Sequence, residues 1–192
     1  MYSARVALAL VTTLTLGTMT VSARADKSSA DRFKVSFKQF VKQSPQAAPM
    51  YRDHARELKV GSYRLKSWLA LAAGPAIIGG AFALAPHLGL QPHDLVIPSI
   101  GTMIVAGFVS LGQHFDAERA KLLARVRTVV QAVKGGLEVP KPVIKDATSA
   151  MFVETMFQAV MAKGEKPETV RRNVLLLETV KTLEAMDALP ND

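Results

Sequence analysis

"AGPAIIGGAFALAPHLGLQPHDLVIPSIG", residues 73–101, carries a single charged side chain, Asp94. Its reading decides between the buried centre of a water-soluble domain and the tip of a hairpin that crosses a membrane twice. The stretch lies within Ser67 to Gly112, 46 residues that contain no Lys or Arg. On either side of the turn "PHLGLQPHD", 86–94, Trp68–Ala85 and Leu95–Gly112 each give 18 uncharged residues. At 1.5 Å per residue each run is about 27 Å long, close to the ~30 Å of a hydrocarbon core. Neither run has a polar helical stripe, and two such helices in succession are hard to bury in a chain of 192 residues. The reading is an all-α fold: an integral membrane hairpin of two transmembrane helices with a helical bundle on the inner side.

Residue choice within the runs points to where the two helices meet. Ala72, Ala76 and Gly80 form a row of small residues four apart on the first, and Thr102, Ala106 and Ser110 form one on the second. Lipid supplies no hydrophobic drive between helices, so they associate where small side chains let backbones approach. These six residues are the expected helix contacts. Pro75 is expected to kink the first helix, whereas Pro98 falls in or near the first turn of the second.

Charge supplies the orientation. The chain carries a formal +8, and residues 26–66 hold 10 Lys/Arg against 4 acids. Arg52, Arg56, Lys59, Arg64 and Lys66 precede the first run; Arg119, Lys121, Arg125 and Arg127 follow the second; the turn has no Lys or Arg. Cytoplasmic loops are enriched in Lys and Arg, so both flanks are expected on the cytoplasmic or matrix side and the turn outside. The membrane is expected to be a bacterial or mitochondrial inner membrane. With the excess charge concentrated beside the apolar block, nucleic acid is not an expected partner.

The amino end leaves three readings open. "MYSARVALALVTTLTLGTMTVSARA", residues 1–25, joins Arg5 to an apolar stretch, Val6–Val21, and ends in Ala23-x-Ala25. It fits a retained third span, an organellar presequence or a cleaved secretory signal. Residues 1–25 are therefore set apart as a targeting segment or anchor, 26–66 as a basic amphipathic region, 67–112 as the hairpin and 113–192 as a soluble helical region.

"SSADRFKVSFKQFVKQS", 28–44, reads as an amphipathic helix. Phe33, Phe37, Phe40 and Val41 share one side; Lys34, Lys38 and Lys42 take the other; Pro45 stops it. Phe opposite Lys suits a helix lying on an anionic lipid surface. The same stripe also suits packing onto the rest of the inner domain. The second span is expected to run on to Gly135-Gly136, and a helix over 50–66 to pair with it as a stalk. "LEVPKPVIKD" reads as an extended linker. Residues 146–163 are apolar around most of the circumference, leaving Glu154, Thr155 and Gln158 as a narrow polar strip, so that helix is expected to be buried. A last helix starts at Pro167.

The chain has no cysteine, which excludes disulfides, thiolate metal sites and cysteine nucleophiles. His87, His93 and Asp94 share the outer turn but make a weak metal pattern. The spans contain no ionisable residue, so no intramembrane proton relay is expected. No phosphate loop or nucleophile motif is present. The expectation is a non-catalytic membrane protein without metal or cofactor: an accessory, assembly or anchoring subunit whose partners are other membrane subunits and an anionic lipid surface. The alternatives are a homo-oligomeric pore lined by Thr102 and Ser110, and a membrane-surface binder or shaper acting through Phe33, Phe37 and Phe40.

Overall fold

The computed structural model describes residues 29–161 and 167–187; residues 1–25, with their three readings, lie outside that range. Among the described residues there are helices and turns and no strand. Helix α1 covers residues 29–43, followed by α2 (Ala47–Glu57) and α3 (Val60–Leu84). Two short 3-10 turns, Ala85–Leu88 and Pro92–Leu95, lead into α4 (Val96–Lys134), then α5 (Lys141–Met161) and α6 (Pro167–Asp187).

The boundaries follow local chemistry. Pro45 ends α1, the Ser44 N–H making the last bond back to the Phe40 carbonyl at 2.8 Å. Gly136 ends α4 with a left-handed φ of 76°; Leu137 N donates to Ala132 O at 2.9 Å and Gly136 N to Val133 O at 3.0 Å. That pair of bonds satisfies carbonyls the helix end would otherwise orphan, and only glycine takes this conformation at no steric cost. Pro142 is accommodated in the first turn of α5, so the expected linker 137–146 is already helical from Lys141. The helix expected over 50–66 is instead two: α2 stops at Glu57, and Lys59, with a left-handed φ of 54°, separates it from α3.

The chain divides into two compact units. One joins the described residues up to Tyr51 with those from Arg125 onward; the other is Arg52–Ala124. The region 26–66 is therefore not one unit, because α1 belongs with the carboxy-terminal helices. In that bundle Phe33 and Phe40 are 0% exposed, alongside buried Val126 and Val129 of α4, Val143, Ala147 and Met151 of α5, and Leu177 and Val180 of α6. Phe37 stacks at a tilt on Phe40 and on Tyr51, with ring centroids 6.2 and 5.4 Å apart.

Candidate functional site

In the Arg52–Ala124 unit the two apolar helices lie antiparallel along one seam. The Ser67 hydroxyl is 2.9 Å from the Ser110 carbonyl and 3.1 Å from its hydroxyl. Seven residues on, a Cβ added to Gly74 would stand 3.0 Å from Ala106 Cβ and 3.3 Å from Met103 Sδ. On α3, Tyr63, Ser67, Ala70, Gly74, Ile78 and Ala81 are less exposed than their neighbours; on α4, Ser99, Thr102, Ala106, Ser110 and Gln113 are. Steps of three and four average about 3.5 residues, the period that keeps two helices in register along a line.

The expected contacts on α4 are placed here: Ala106 against Gly74, Ser110 against Ser67, and Thr102 half-buried, with its hydroxyl turned to the Pro98 carbonyl at 2.9 Å. Those on α3 are not. Ala72, Ala76 and Gly80 are exposed, and nothing lies within 4 Å of a Cβ placed on Gly80. Steps of four drift around the helix by about 40° each, so a straight row of them leaves the seam. Gly74 and Ser67 are the residues that sequence reasoning missed.

Outside the seam the large apolar side chains point away from the protein. Ile97 is 81% exposed, Phe108 71% and Trp68 68%, and Leu69, Leu71, Ile77, Ile104 and Val105 are exposed as well. Both helices are long and apolar enough to cross a membrane. Small and hydroxylic residues inside with large aliphatic ones outside is the reverse of a water-soluble helix pair.

The turn is built from its own polar groups. Gly89 takes a φ of 70°, Leu90 N donates to Ala85 O at 3.0 Å, and the Asp94 carboxylate accepts from Gln91 N at 2.9 Å. The other Asp94 oxygen is 3.3 Å from His93 Nε2. Both oxygens thus serve the turn itself.

The amphipathic reading of α1 requires a correction. Phe33, Phe37 and Phe40 are buried, whereas Lys34, Lys38 and Lys42 are exposed. The aromatic side of α1 packs within its own unit, where Ser29 and Arg32 line a cleft with Thr148, Ser149, Phe152 and Lys181. Burying such a ring is worth about 1.5–3 kcal/mol, so it is not available to lipid at the same time.

Helix α5 also departs from expectation. Its polar strip faces inward: Glu154, Gln158 and Asn173 of α6 are buried. Asn173 Nδ2 donates to Gln158 Oε1 at 2.6 Å, and Gln158 Nε2 donates to Glu154 Oε1 at 2.5 Å. Its apolar side is outward, with Phe152, Met156, Phe157 and Val160 exposed and Lys181 Nζ 5.8 Å above the Phe152 ring. Among the described residues no group of three His, Asp or Glu comes together in a metal-binding cluster. The chain matches no family model, and no curated protein or solved structure is significantly similar to it.

Proposed function

We propose that this chain is an integral membrane hairpin with a helical bundle, serving without catalysis as an accessory, assembly or anchoring subunit of a larger membrane complex. The observation that carries the membrane reading is the polarity of α3 and α4: Ser67, Gly74, Ala106 and Ser110 inside, and Ile97, Phe108 and Trp68 outside. Leaving that much apolar surface in water is unfavourable by roughly 25 cal/mol per Å², and lipid removes the cost. The subunit reading is supported by the outward Met156, Phe157 and Val160, an apolar stripe for a partner to cover. The lysines and arginines flanking the hairpin favour both flanks on the cytoplasmic or matrix side of an inner membrane.

The test is the native mass of the protein extracted from its own membrane in mild detergent, with co-purifying chains and the intact mass of this chain read by mass spectrometry. A discrete complex with other membrane proteins is the expected result, and the chain's own mass would give the fate of residues 1–25. A closed homo-oligomer with no other chain would instead favour the pore, to be examined by ion flux. Against the pore stands the use of Ser110 and Thr102 within the chain, the first on Ser67 and the second on Pro98.

A further inference from the structure

In the Arg52–Ala124 unit, charge collects at one end of the hairpin. Arg52, Arg56, Lys59, Arg64 and Lys66 are all exposed, against two acids in the same segment, Asp53 and Glu57. Glu57 is already engaged, 3.5 Å from His54 Nδ1, and between Lys59 and Lys66 there is no carboxylate. The chain bends here, and the bend leaves an open cleft lined by Ala55, Arg56, Lys59, Val60, Gly61 and Ser62. Within one further turn come Arg64 and Lys66, the latter with Nζ 6.0 Å from the Tyr63 ring centroid, and directly beyond them exposed Trp68 and Leu69. The antiparallel register fixed by Ser67 and Ser110 brings Asp116, Glu118 and Arg119 of α4 to the level of Lys59 to Gly61, and Glu118 is already paired with Lys121. At the opposite end, Ala85–Leu95 offers no cation except through histidine.

We propose that this collar, centred on Arg56, Lys59, Arg64 and Lys66, binds the phosphate of anionic lipid headgroups while the acyl chains lie on the exposed apolar side of α3. The inference rests on the membrane reading above and adds a lipid preference to it. Charge complementarity supplies one half of the recognition, and continuity with the apolar exterior at Trp68 and Leu69 supplies the other. Free phosphate would use only the first half. The exposed lysines of α1 lack the second half, because the aromatic side beneath them is buried.

The full chain in mild detergent is offered phosphatidylglycerol and phosphatidylcholine in equal amounts, and the lipids retained on it are counted by native mass spectrometry. Each cation near a lipid surface contributes roughly fivefold in affinity. The wild type is therefore expected to retain phosphatidylglycerol in clear excess. The variant Arg56→Gln/Lys59→Gln/Arg64→Gln/Lys66→Gln is expected to lose at least tenfold of that preference, while Lys34→Gln/Lys38→Gln/Lys42→Gln keeps it. Equal retention of both lipids by the wild type, or loss of preference in the α1 variant alone, overturns the proposal. So does displacement of phosphatidylglycerol by inorganic phosphate beyond the effect of chloride at matched ionic strength, which would mark a free-phosphate site. Alkaline-carbonate extraction of the wild type separates the two inferences. A wild-type chain that stays in the membrane but shows no lipid preference removes the collar alone, whereas one released from it removes the membrane reading.

Discussion

Gly74 and Gly80 stand six residues apart on α3 and have opposite surroundings. A methyl group on Gly74 would press on Ala106 Cβ at 3.0 Å, tighter than ordinary contact, whereas one on Gly80 meets nothing within 4 Å. Gly74→Ile is expected to open the hairpin seam and lower the thermal midpoint of the detergent-solubilised protein. Gly80→Ala is expected to leave it unchanged or raise it, since glycine in a helix interior costs about 1 kcal/mol relative to alanine. Circular dichroism on the two variants decides it, and a seam through Gly80 would reverse the order. Phe40 gives a second case at this scale. Phe40→Ala is expected to cost about 3–5 kcal/mol in urea unfolding of the bundle, as a cavity in a packed core does. Phe40→Ser should act the same way, by destabilising the fold, and not by releasing an otherwise intact protein from lipid.

At the scale of helices, the sequence reveals existence more readily than orientation. The hairpin is legible because 46 residues without Lys or Arg admit few other structures, and α1 is legible because Phe33, Phe37 and Phe40 recur at helical spacing. What each side faces is less legible. An aromatic stripe opposite lysines has the same period whether it meets lipid or core, and only the packing of α1 within its unit distinguishes them. On α3, small residues occur so often that several rows compete, and a spacing of four was a poorer guide than the mixed three-and-four pattern of Ser67, Ala70 and Gly74. On α5, an almost wholly apolar circumference predicts burial without telling which side is buried, and it is Glu154 and Gln158 that turn inward to Asn173. Asn173→Ala would leave the Gln158 carbonyl without its donor and is expected to cost about 1–3 kcal/mol. The urea midpoint of the variant tests it.

For the whole molecule, orientation is the most accessible property, because a chain without cysteine accepts single labels cleanly. Gly89→Ser would strain the turn, so His87→Cys is the better probe at the tip, with Glu138→Cys for the other side. In sealed inner-membrane vesicles of known sidedness, a membrane-impermeant maleimide is expected to reach His87→Cys from the outer face and Glu138→Cys from the inner face. Labelling of both from the same face would contradict the hairpin.

Ser67 and Gly74 stand seven residues apart on α3, on one seam with Ser110 and Ala106 of α4. A helix has an angular phase, and one residue advances it by about 100°. Inserting a single residue between Ser67 and Gly74 would therefore turn one of the two a quarter-turn or more away from α4, and a single deletion would do the same in the opposite sense. The reading frame of this segment is thus constrained twice, once by codons and once by geometry.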